Sequence, residues 1–62
     1  MNSERLIIEE ADLRAKLDKL ENFMCTERFD DLPVEMKMLM AKQQQAMKNY
    51  QDALVARIKL VS

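Results

Sequence analysis

The chain has 62 residues, 48% of them hydrophobic and 34% charged, with ten basic against eleven acidic side chains and a formal charge of −1. It holds no histidine, no glycine and a single cysteine. That composition excludes an intrachain disulfide, a soft-metal cage and a glycine-rich phosphate loop.

A balanced charge argues against binding long nucleic acid through bulk electrostatics, but a few placed cations can still hold a small anion. A chain this short buries only about 60% of its unfolded surface when it folds alone. Without a disulfide or a metal, association with other chains is the expected remedy. Leu, Ala, Met, Glu, Lys and Gln dominate the sequence, and all are good helix formers. The fold class expected is all-α, and one domain spanning residues 1–62 is expected from the length.

The first helix is expected over about residues 3–26, with Ser3 as its N-cap and Glu4 favourably placed on the helix dipole. Leu13, Leu17, Leu20 and Met24 are spaced four, three and four apart, a heptad-like seam. Leu6 and Glu10 extend it backwards, which makes Glu10 its polar exception. Ile7 and Ile8 lie partly off it. A link follows over about residues 27–32. Asp30, Asp31 and Pro33 form the strongest break in the chain. Phe29 is expected to plug the link onto the helix ends.

The second helix is expected over about residues 33–60, because proline in a first turn costs little. Met36, Met40, Gln43, Met47, Tyr50, Leu54, Arg57 and Val61 trace its seam, with Leu39, Ala46, Ala53 and Ile58 on a neighbouring stripe. A short link makes the two helices antiparallel neighbours. One apolar stripe can meet the first helix, and the other needs a second partner. The expectation is therefore an antiparallel two-helix hairpin that assembles into a compact homo-oligomer. No apolar run approaches a membrane span and the N-terminus has no signal-peptide core, so the cytoplasm is the expected location.

Catalysis is not expected. General acid–base work would fall to Asp, Glu, Lys or Tyr, and no histidine is present to activate Cys25. No catalytic residue, metal ligand or cofactor is assigned. Gln43, Tyr50 and Arg57 recur every seven residues and share a helical face. Gln43 and Tyr50 are suited to satisfying hydrogen bonds in an oligomer core and fixing its register. Arg57, flanked by Leu54, Ile58 and Val61, needs an anion. Glu9 or Glu10 could supply it, since the end of the second helix lies beside the start of the first. A ligand phosphate could supply it equally, because arginine offers a rigid fork of donors. Thr26 either ends the first helix or offers its hydroxyl to phosphate. Thr26 and Arg57 stand about 30 Å apart along the hairpin. They can share a ligand only across chains.

The run Leu13-x-x-Lys16-Leu17-x-x-Leu20-x-x-Phe23-x-x-Thr26-x-x-Phe29-x-x-Leu32-Pro33 resembles the phage helical-hairpin family of anti-CBASS and anti-Thoeris sponge proteins. The continuation Leu39-x-x-x-Gln43-x-x-Ala46-Met47-x-x-Tyr50-x-x-x-Leu54-x-x-Arg57-Ile58 fits the same pattern. The resemblance implies small helical proteins that assemble into compact hexamers. It implies sequestration, without cleavage, of the cyclic oligonucleotide second messengers of bacterial immunity. Cyclic trinucleotides and cyclic dinucleotides would then occupy separate pockets between subunits, in the cytoplasm of the infected host. It places the trinucleotide phosphates on Thr26 and Arg57 of different protomers. Ile8, Lys19, Arg28 and Tyr50 are the further candidates for ligand contact. The early first helix offers Leu6, Ile7, Ile8 and Glu9 where relatives can use an aromatic to stack a base, which favours the trinucleotide. The competing expectation is a ligand-free oligomerisation or adaptor hairpin with Arg57 paired to Glu9 or Glu10.

Overall fold

The computed structural model describes residues 3–61. Two long helices, α1 (Ser3–Met24) and α3 (Val34–Val61), are joined by a single helical turn, α2 (Glu27–Asp30). No strand occurs among the described residues. The two long helices run side by side as an antiparallel hairpin, a rod of 45 × 15 × 12 Å.

Residues 27–32, expected as a plain link, hold that extra turn because Thr26 builds a cap. Its backbone is extended (φ −96°, ψ 161°), and its hydroxyl accepts from the Phe29 N–H at 3.3 Å. The same hydroxyl donates to the Phe23 carbonyl at 2.6 Å, and the Thr26 N–H reaches that carbonyl at 3.0 Å. One residue therefore ends α1 and starts α2, so α1 stops at Met24 rather than running to Thr26. Phe29 is half-buried and sets its ring edge on Phe23, with centroids 6.2 Å apart and planes at 89°. This T-shaped contact suits the aromatic quadrupole and clamps the turn to the end of α1. α3 begins one residue after Pro33, whose carbonyl accepts the first helical bond from the Lys37 N–H at 3.1 Å. Proline precedes the helix here and blocks its backward extension through the missing N–H. Ser3, expected as a cap, is already the first residue of α1.

The core is small. Leu6, Leu13 and Leu17 of α1 and Leu54 of α3 are buried, and Leu54 is the one fully enclosed side chain among the described residues. Met47, Ile58 and Val61 pack against Leu6, Leu13 and Leu54. Leu20 and Met24 are half-buried, so the whole expected α1 seam turns inward.

The α3 seam differs from expectation at alternate positions. Its inward line is Met40, Gln44, Met47, Gln51, Leu54, Ile58 and Val61, all buried or half-buried. Gln43, Tyr50 and Arg57 face outward and are exposed. Both lines have alternating four- and three-residue spacing, so periodicity does not separate them. Hydrogen bonding does. Gln44 donates to Glu21 at 2.7 Å and Gln51 donates to Glu10 at 3.0 Å, both across the hairpin. A half-buried amide is stable only with a partner, and α1 supplies carboxylates at those two levels.

Candidate functional site

Arg57 stands on the outer face of α3, four residues before the end of that helix, and is exposed. Among the described residues it makes no ion pair. Glu10, one of the two anions expected for it, is engaged elsewhere. Its side chain is 12% exposed, accepts from Gln51 and lies 3.8 Å from the Arg14 guanidinium. The other anion, Glu9, faces solvent on α1. Water can solvate an exposed guanidinium, so Arg57 does not need a protein anion in the single protomer, contrary to the sequence reasoning.

Thr26 sits at the opposite, closed end of the rod and is exposed. Its single O–H donor is committed to the Phe23 carbonyl and one lone pair to the Phe29 N–H. The cross-hairpin bonds put Glu21 level with Gln44 and Glu10 level with Gln51. Thr26 is five residues beyond Glu21, which brings it level with the first two turns of α3, about 27 Å from Arg57 along the axis. One chain cannot bring the two residues to one ligand.

The remaining candidates are scattered over the surface. Ile8 projects from the first turns of α1 and is 61% exposed. Lys19 is exposed on α1 and Arg28 on α2. Tyr50 is 45% exposed at the middle of α3, seven residues before Arg57. Cys25, beside Thr26 at the closed end, is exposed. No three metal-ligating side chains gather among the described residues, and no pocket opens among them.

An ion pair crosses the hairpin. Lys48 lies 3.3 Å from the Glu21 carboxylate that also accepts from Gln44. These contacts, the Gln44 hydrogen bond first and Lys48 second, hold the Glu21 carboxyl below its ordinary range. Sequence reasoning missed Gln44 and Gln51 as hairpin-setting residues. The signal was there in two glutamines seven apart, facing a helix with Glu10 on its seam.

Architecture and surface together define a small helical hairpin with its polar seam contacts satisfied internally and a long outer face left open. No helix among the described residues is long and apolar enough to cross a membrane. The chain matches the Sequestin family model over residues 2–60, nearly its whole length, and belongs to that family. No curated protein and no solved structure matches it.

Proposed function

We propose that this protein is a phage anti-defence sponge that sequesters cyclic oligonucleotide second messengers, cyclic trinucleotides above all, without cleaving them, and so blocks CBASS-type immunity in the host cytoplasm. Membership of the Sequestin family carries the reading, since the name denotes sequestration. Two features of the chain support it. The Arg57 guanidinium is exposed with its donors uncommitted to any carboxylate among the described residues. The outer face of α3 is also open for other copies, whose junctions would form the concave sites that a single rod lacks.

In this reading the protein is a homo-oligomer, a hexamer by resemblance, and takes no part in bond breaking. Arg57 of one protomer forks onto the phosphates. Thr26 of another turns its hydroxyl from the Phe23 carbonyl to a phosphate oxygen. Ile8 offers apolar surface to the bases, while Lys19 and Arg28 add positive potential. Cyclic dinucleotides are the weaker ligand. The adaptor alternative required Arg57 to be paired with Glu9 or Glu10, and Glu10 is bonded to Gln51 and Arg14 instead.

Titration calorimetry of the purified protein against a panel of cyclic di- and trinucleotides tests the proposal. Saturable trinucleotide binding, with the ligand recovered intact after denaturation, is the expected result. Absence of binding across the panel overturns it. Arg57→Gln, which keeps an aliphatic stem and removes the charge, should lower trinucleotide affinity at least tenfold with the oligomer retained in sedimentation.

A further inference from the structure

The accessible surface of the chain is 4985 Å². A compact monomer of 7.3 kDa would expose about 4,200 Å². The excess of about 800 Å² matches what one partner covers in a standard stable interface. Apart from Tyr50 at mid-rod, the exposed large apolar side chains are gathered at the two ends of the rod. Val34, Met36, Met38 and Leu39 lie at the closed end, and Ile7, Ile8 and Leu60 at the open end.

A single line on the outer face of α3 connects the ends. It starts at Met36 and repeats in alternating three- and four-residue steps to Leu60, and every residue on it is exposed. We propose that this line is the docking surface for the α3 of a second copy, running antiparallel, with the two-fold axis near Lys48.

The sequence of the line is self-complementary in that register, as an isologous contact requires. Met36 at the closed end of one rod meets Leu60 at the open end of its partner. Tyr50, bulky and half exposed, falls against the partner's Ala46, and Gln43 falls against the partner's Ala53. Large-against-small layers of this kind let two helices approach closely. Leu39 lies under the aliphatic stem of the partner's Arg57, while the charged head can reach the rim. Every layer joins the two alternating positions of a heptad, the usual geometry of an antiparallel seam. The inward line of α3 stays occupied by α1, so the hairpin does not have to open.

This pairing also deepens the proposed capture, and in that respect it rests on it. Thr26 is level with the first two turns of α3, and the pairing brings the partner's Arg57 level with Leu39. The two residues assigned to phosphate are about 27 Å apart along the axis within one chain, yet across the pair they stand within about one helical turn of the same level along the axis. Two such junctions form, one at each end.

Cross-linking in full-length chains carrying Cys25→Ser tests the register. Gln43→Cys and Ala53→Cys chains are prepared separately, mixed, and oxidised. The expected product is the covalent heterodimer, identified by mass, with neither variant alone forming a covalent dimer, since like positions sit about 15 Å apart along the seam. Gln43→Cys linking to itself would mean a parallel or shifted seam and overturn the proposal. Sedimentation of the unmodified chain runs in parallel. An oligomer that binds a cyclic nucleotide but gives no heterodimer overturns the pairing and leaves the capture reading standing. A monomer that gives no heterodimer and still binds the ligand overturns the pairing and the intersubunit site, but not sequestration. As a check independent of cysteine chemistry, Tyr50→Glu should weaken self-association at least tenfold with helicity retained. An unchanged oligomer would overturn the proposal.

Discussion

The Gln51 amide donates to the Glu10 carboxylate across the hairpin at 3.0 Å, and this contact helps decide which of two equally periodic faces of α3 turns inward. Removing the acceptor leaves a half-buried donor unpaired. Glu10→Ala should lower stability by about 1–2 kcal/mol, read as a lower urea midpoint at fixed protein concentration. The paired change Glu10→Leu with Gln51→Leu should recover most of that loss, because both polar groups leave together. It should also broaden the transition, since the rotation that points Tyr50 inward is then less strongly opposed.

Glu21 is placed to make the fold sensitive to acid. Its carboxylate accepts from Gln44 and is near Lys48, so its folded pKa lies below the unfolded value. A depressed carboxylate contributes stability that is fully present above the ordinary glutamate value of 4.5 and is lost as pH falls through the lower folded value. The urea midpoint should therefore drop on acidification below about pH 4.5. Glu21→Gln should flatten that part of the profile. An identical acid limb in both proteins would show that the contact is energetically idle.

Thr26 has a structural role that can be separated from the proposed ligand role. Thr26→Ala removes the α2 cap and should cost about 1 kcal/mol by thermal or urea unfolding. Thr26→Asp restores a good cap acceptor and should regain much of that stability. The same carboxylate would repel a phosphate, so Thr26→Asp should still lose trinucleotide capture at least tenfold in calorimetry. Retained capture in the aspartate variant would leave Thr26 a cap and nothing more.

Much of the hairpin was legible because helices announce themselves locally. The four-three-four spacing of Leu13, Leu17, Leu20 and Met24 marked the inward face of α1, and all four are buried or half-buried. Pro33 marked the break. The face of α3 was not legible in the same way. Met40, Met47, Leu54 and Val61 belong to both candidate seams, and the choice between Gln43 and Gln44 depends on acceptors in the other helix. Periodicity alone does not rank the two lines, because the glutamine spacing gains meaning only beside the carboxylates of α1. The α2 turn was missed because Thr26 was weighed as an end of α1, although an N-cap can serve the following helix as well. The candidate site was legible only as a geometric requirement. Arg57 and Thr26 lie at opposite ends of one rod, so the arrangement that joins them depends on how copies meet.

Leu54 is where the stability of the protomer is concentrated. It is the one fully enclosed side chain among the described residues, packed with Leu6 and Leu13, and only four side chains are buried there at all. Leu54→Ala should cost about 2–5 kcal/mol, the range for a leucine truncated in a core that cannot collapse around the void. A hairpin this short has little stability to lose, so the dilute variant should be largely unfolded by far-ultraviolet circular dichroism. If self-association stabilises the fold, mass action should restore helicity as concentration rises, and the melting temperature of the parent chain should rise with concentration too. A melting temperature independent of concentration in both proteins would mean that the rod stands alone, with its outer face playing no part in stability.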